Sequence, residues 1–210
     1  MPKFGFFGLA IFLLLSFFVS SSLFKTTDLQ LTLKLQEIIP EFTITPLSLF
    51  SIIGSAEFAV VILLVLLFIF PKMSKISTLV LFVSSGVIEI VGKTLITQKG
   101  PPIEFLKTNL HVNLPISSIP KDFFSYPSGH STRAAFISGV LLILLWKSSI
   151  RKELKIIFAF CILTFDLLMF VSRVYLGEQW TTDVIGGLIL GYSLALLSPY
   201  FSLKIRNKIN

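Results

Sequence analysis

Long apolar runs broken by short polar joints dominate this chain, with little of the two-faced periodicity of a surface helix. A helix crosses a bilayer's hydrocarbon core in about 20 mostly apolar residues, and six windows reach that length. The first covers Phe4 to Phe24 and the second Leu47 to Phe70, closed by Pro71. The third runs from Ile76 to about Thr97 and stops at Gly100-Pro101-Pro102, because two prolines cannot continue a helix. The fourth opens near Ser128 and ends at Trp146, the fifth covers Leu154 to about Tyr175, and the sixth Thr182 to about Phe201. Between the first two, residues 25–45 mix charge with apolar positions (LQLTLKLQEII), which predicts a short interfacial helix. No repeat or low-complexity linker interrupts the chain. The pattern therefore predicts one all-α integral-membrane domain over residues 1–210, a six-transmembrane-helix bundle.

Composition removes the soluble alternatives. Of 210 residues 54% are hydrophobic, with 22 phenylalanines, and only 14% are charged, against about 25% in a soluble domain. Such a chain is neither a soluble enzyme nor disordered. The net charge of +7 points to cytoplasmic loops rather than to nucleic acid. The first run exceeds the usual apolar core of a cleaved signal, so it is expected to remain as an anchor. Cys161 is the single cysteine, lies mid-span, and can form neither an intrachain disulfide nor a multi-cysteine zinc site.

Six spans sort the charges onto two sides. The side with both termini, the 71–75 turn and the 147–155 loop carries ten Lys and Arg against Glu153 alone. The other side carries eight against seven acids, and Glu57, Glu89 and Asp166 lie within spans. The positive-inside rule then puts both termini in the cytoplasm and the longest loop, 98–127, outside.

Three polar clusters gather on that outer side. Tyr126-Pro127-Ser128-Gly129-His130 opens the fourth span: Ser128 can cap the helix, Gly129 lets a ligand approach bare backbone, and the free amides favour an anion. His130 in the first turn could donate a proton to a departing oxygen. An ordinary capped helix with an interfacial histidine explains these residues equally well. Arg133 favours the anion, because a cation in the first turn opposes the helix macrodipole, although snorkelling to headgroups also accounts for it. The second cluster, Ser172-Arg173 through Gln179 to Asp183, closes the fifth span, and Asp166 lies two turns before Arg173 on the same face. The third is Lys93 with Glu89 one turn earlier, which could equally be a simple buried ion pair.

These residues resemble the type 2 phosphatidic-acid phosphatases, which share a core with the vanadium haloperoxidases and carry K-x6-R-P, P-S-G-H and S-R-x5-H-x3-D in that order. Pro127-Ser128-Gly129-His130 matches the second motif in full. Ser172-Arg173, position 179 and Asp183 match the spacing of the third, and Lys93 with Gly100-Pro101 that of the first. The resemblance covers residues 54–199. It implies metal-free and cofactor-free hydrolysis of a phosphorylated membrane lipid, a phosphatidic acid or polyprenyl diphosphate, at the extracytoplasmic face. In it a third-motif histidine attacks phosphorus, an aspartate orients that histidine, and the second-motif histidine protonates the leaving group. Carried over residue by residue, Lys93, Ser128, Gly129 and Arg173 would bind phosphate, His130 would be the acid and Asp183 the orienting carboxylate.

Two positions depart from the pattern. Gln179 stands where the nucleophile belongs, and a carboxamide has no basic lone pair for attack on phosphorus. Gly100 stands where the first motif has arginine, leaving Lys99 or Arg133 to supply replacement charge. The expectation is a lipid-phosphate phosphatase-like protein of reduced activity, with an inactive lipid-phosphate binder as the alternative. Slow turnover through a water oriented by Gln179 fits the same residues. His111 as a substitute nucleophile ranks lowest, and a small transporter or channel lined by Glu57, Glu89 and Asp166 is the reading outside the family.

Overall fold

Caps and breakers set where the apolar runs become helices. The computed structural model describes residues 2–70, 74–107 and 124–209, with side chains as far as residue 199. Helix α1, Pro2–Ser20, begins with proline in its first turn, where the missing N–H costs nothing. Helix α2, Lys25–Ile38, stops short of Pro40 and is followed by a single 3-10 turn, Glu41–Thr43. Then come α3, Ile44–Ile52, and α4, Ala56–Ile69, the latter capped by the Ser55 hydroxyl. Helix α5 is Lys75–Leu95, α6 is Gly129–Lys147, α7 is Lys152–Tyr175 and α8 is Thr181–Ile209, which carries Pro199 inside it. The ends of α5, α6 and α7 lie within about two residues of the expected ones. Five of these helices are long and apolar enough to cross a membrane.

The second expected span is not one helix. It breaks at residues 53–55 and bends by 53°, so that α3 and α4 together count as a sixth span only if the bent pair is taken as one. The bend leaves Gly54 between the two helices, in neither of them. The apolar stretch of the sixth span covers Thr181–Pro199, close to the expected one, and its helix runs on beyond it to Ile209.

Helix α8 is the axis of the bundle and packs on α6, α1 and α5. Lipid tails are as apolar as leucine side chains, so helices in a membrane associate largely through close backbone approach at small residues. An added Cβ at Gly187 would stand 2.5 Å from the Ser128 carbonyl, and one at Gly191 would strike the Thr132 carbonyl and sit 2.8 Å from the Ala135 Cβ. Gly139 answers from α6, its missing Cβ 2.6 Å from that of Ala195. Asp166 on α7 adds a polar clamp, accepting hydrogen bonds from Ser138 on α6 at 2.8 Å and from Tyr192 on α8. Its partners are therefore neighbouring helices, and Arg173 two turns away on its own helix is not among them. The outward faces carry the apolar side chains a hydrocarbon solvent accepts, Phe68 being 86% and Phe160 70% exposed.

The close seam gives a first prediction. Gly191→Val puts a branched side chain against the Thr132 backbone, which cannot yield unless α6 shifts, and overpacking of this kind costs about 1–3 kcal/mol. Thermal unfolding in detergent is expected to show a lower midpoint. Gly86→Val on α5 is the control, since no atom lies within 4 Å of the Cβ it would add.

Candidate functional site

Four helix ends meet where the polar clusters were expected. The chain enters α6 through Tyr126 and Pro127, joined by a cis peptide, and Ser128 is the N-cap, its hydroxyl accepting from the Ser131 amide at 3.5 Å. The Ser128 amide donates to the Asp183 carbonyl at 2.9 Å, which ties the start of α6 to the start of α8. Pro127 also lies against Gly92 near the end of α5, its Cδ 2.5 Å from where a Cβ would be. Tyr126 is fully buried: its ring stacks 6.0 Å from Phe12 and lies against Gly186, and its hydroxyl meets that of Ser16 at 3.1 Å. Burial pushes the Tyr126 phenol up from its ordinary pKa, against the pull of the Ser16 hydrogen bond and with a smaller push from the Asp183 charge.

Cations from three helices converge on the first turn of α6. Lys93, in the last turn of α5, places its ammonium 2.8 Å from one Glu89 oxygen, and Arg133 of α6 places a guanidinium nitrogen 2.8 Å from the other. Arg133 also donates to the Gly54 carbonyl at 3.3 Å, the group the bend after α3 exposes. Arg173, in the last turn of α7, is 8% exposed, donates to the Ser51 hydroxyl at 2.7 Å and pairs with Glu178. His130 lies in the electrostatic field of Arg173, Arg133 and Lys93, and its Cβ is 3.2 Å from where a Cβ at Gly54 would be. Lys99 is apart from this group: its side chain is exposed, and its carbonyl accepts the Trp180 indole at 2.8 Å.

The turn after α7 carries position 179. Gly177 at φ +70° reverses the chain there, in a conformation only glycine adopts cheaply, and the amides of Glu178 and Gln179 both donate to the Arg173 carbonyl. Gln179 directs its Nε2 to the Glu178 carbonyl at 2.9 Å, and its Oε1 is buried with no hydrogen-bond partner among the described residues. Arg173 Nε is likewise buried and unpartnered. Asp183 is engaged elsewhere: one oxygen accepts from Gln98 at 2.8 Å and the other reaches back to the Trp180 amide at 2.9 Å, one half of a capping box at the start of α8. Asp28 of α2 accepts from the Thr182 amide at 2.9 Å and from its hydroxyl at 2.6 Å, and so holds that first turn from outside. Burial raises the Asp28 carboxyl above its ordinary pKa, opposed by the hydrogen bonds from the Thr182 side chain and backbone.

Ser51, Gly54, Glu178, Gln98 and Asp28 are the site-building residues that sequence reasoning passed over. Gly54-Ser55 in the middle of an apolar run was the available signal for two of them, because small polar residues there can break a span. His111 lies outside the described residues. Among the described residues no cluster of three or more His, Cys, Asp or Glu side chains could hold a metal. The arrangement instead suits an oxyanion: convergent cations, a capped helix N-terminus, one buried unpaired guanidinium N–H and a histidine beside them.

Residues 74–207 match the PAP2 superfamily. Phosphatidylglycerophosphatase B of Bacillus subtilis (strain 168) is 41% identical over 87 residues, 40% of this chain. That alignment spans only 41% of the Bacillus protein. The crystal structure of a transmembrane PAP2 type phosphatidylglycerolphosphate phosphatase from Bacillus subtilis superposes with a TM-score of 0.74 at 25% identity, over 96% of both chains. The structure of Aquifex aeolicus LpxE shares the fold, with a TM-score of 0.62 at 23% identity over 82% of this chain and 94% of its own.

Proposed function

The chain belongs to the PAP2 superfamily as a multi-pass, membrane lipid-phosphatase-like protein, and we propose that it binds phosphorylated lipid headgroups at the extracytoplasmic face and hydrolyses them at a much reduced rate. One observation carries the reading: cations from three helices converge on the Ser128-Gly129-His130 turn, while a carboxamide folded onto its own backbone occupies the nucleophile position. Lys93, Arg173, the Ser128 hydroxyl and the Gly129 amide hold the phosphate oxygens. Arg133 supplies the charge missing at Gly100, because it shares the Glu89 carboxylate with Lys93, whereas Lys99 stands away. Asp183 anchors the turn that carries Gln179 through the Trp180 amide. The surplus of Lys and Arg in the loops at the opposite end supports an outward-facing site.

Residual turnover follows from the same atoms. Gln179 Oε1 accepts a hydrogen bond from a water, whose oxygen attacks phosphorus. The bond from phosphorus to the lipid oxygen breaks, His130 gives that oxygen its proton, and the proton lost by the water passes to the phosphate. A positioned acid contributes typically 10²–10⁴-fold, far short of what a covalent nucleophile adds in concert with its partners.

The test uses the full-length protein in lipid nanodiscs with phosphatidylglycerophosphate, phosphatidic acid and polyprenyl diphosphate. Orthovanadate binding with slow phosphate release, lowered further by His130→Ala, is expected. Rapid wild-type release that His130→Ala abolishes would overturn the reduced activity, and absence of vanadate binding would overturn the phosphate site. For sidedness, Lys99→Cys in a Cys161→Ser background is expected to react with an impermeant maleimide added outside intact cells. Labelling only after the cells are opened would reverse the orientation.

A further inference from the structure

Glu89 occupies the seat of an anion in the cradle just described. It is 8% exposed, lies six residues before the end of α5, and each of its oxygens is 2.8 Å from a cation, Lys93 on its own helix and Arg133 on another. Its carboxylate fills the space that a Cβ at Gly129 would take. Gly129 is the first residue of α6, where the backbone amides have no partner within the helix and the macrodipole favours negative charge. The carboxylate thus draws on the features that make this turn attractive to phosphate: lysine, arginine, helix N-terminus and the bare backbone of a glycine.

We propose that Glu89 is a built-in competitor for the phosphate cradle, and that a headgroup binds by displacing its carboxylate from Lys93, Arg133 and the first turn of α6. The inference rests on the reading of this pocket as a phosphate site. A tethered anion competes at a high local concentration. It lowers the fraction of molecules whose cradle is open, and the apparent affinity for every phosphate falls by that same fraction. A phosphomonoester still wins the exchange, because it brings about −1.5 to −2 charges and three acceptor oxygens against one charge and two oxygens. Glu178 on Arg173 leaves that residue's Nε unpaired, so the second acid does not close the cradle in the same way. The competing account makes Glu89 a strut that aims Lys93 and Arg133 at the ligand, and it predicts an effect of opposite sign.

Calorimetric titration of the full-length protein in detergent with orthovanadate, and separately with inorganic phosphate, distinguishes the two. If the cradle is open in about one molecule in ten, Glu89→Gln binds vanadate about tenfold more tightly than wild type. Glu89→Ala is expected to bind more tightly as well, and acetate, refilling the vacated seat, should weaken vanadate binding to Glu89→Ala while leaving wild type unchanged. Equal or weaker binding by Glu89→Gln, with measurable binding by wild type, overturns the competitor role and leaves the phosphate site standing. No binding by wild type or by either variant overturns the phosphate site and this inference together. Should Glu89→Gln fail to fold, the acetate competition in Glu89→Ala decides: no effect of acetate overturns the proposal.

Discussion

Gln179→His is expected to raise phosphate release by at least about 100-fold, a partial recovery of the 10⁴–10⁶ that loss of a concerted nucleophile typically costs. The imidazole enters a turn already shaped for it. Gly177 sets the reversal, the Glu178 and Gln179 amides are fixed on the Arg173 carbonyl, and the buried end of Gln179 has an acceptor without a partner. Asp183 lies four residues on, at the start of α8. Both of its oxygens are engaged, by Gln98 and by the Trp180 amide, but a carboxylate has about four lone-pair sites and can accept an imidazole N–H as well. Adding Gly100→Arg should raise release again, because the position tolerates the side chain. A Cβ there would meet only the Ser125 Cβ, at 3.7 Å, and among the described glycines Gly177 alone has a positive φ. Arginine before Pro101 is held extended, which suits a fork reaching for an oxyanion. Release is measured on phosphatidylglycerophosphate, and acid-labile phosphoenzyme is trapped in parallel. Release without phosphoenzyme would mean that the new histidine acts as a base toward water. No gain in either variant would mean that Asp183, held by Gln98 and the Trp180 amide, does not orient the new histidine.

The expectations that survived and those that failed divide along a physical line. Helices α5, α6 and α7 were legible because proline, serine or lysine stands at the edge of each apolar run, and hydrophobicity alone determines membrane residence. The Glu89–Lys93 pair was legible because i,i+4 neighbours meet on any helix, and the structure places them 2.8 Å apart. What a residue meets on another helix is a different matter. Asp166 shares a face with Arg173 in sequence, yet in hydrocarbon it took the nearest hydroxyls, those of Ser138 and Tyr192, each more than 25 residues away. The break at residues 53–55 had a signal in Gly54-Ser55 but an ambiguous one, because a glycine and a serine inside an apolar run serve close helix packing as readily as a bend. Its purpose appears only when Gly54 and Ser51 are found on Arg133 and Arg173. Glu178 was invisible as a partner because its pairing depends on the left-handed turn at Gly177, five residues of chain curling back on the helix that precedes it.

Arg173→Met is expected to lose vanadate binding by more than about 100-fold, since a hydrogen bond to a charged group contributes about 1.5–3 kcal/mol and this guanidinium can offer two. The same change should destabilise the fold. Removing one partner of a buried ion pair costs about 3–5 kcal/mol, and the lower end applies here because the Glu178 side chain keeps 21% of its surface exposed. It also strips the Ser51 hydroxyl of its donor, and with it a link between α7 and the broken span. Lost binding alone therefore would not separate a ligand contact from a structural counter-ion. The double variant Arg173→Met, Glu178→Gln does separate them, because it removes the stranded carboxylate along with its partner. Its thermal midpoint is expected to recover most of the way to wild type while vanadate binding stays lost. Arg173→Lys, which keeps the charge but not the planar fork, should fold normally and bind with intermediate affinity. A double variant that recovers both midpoint and binding would reduce Arg173 to the counter-ion of Glu178 and leave Lys93 and Arg133 to carry the site alone.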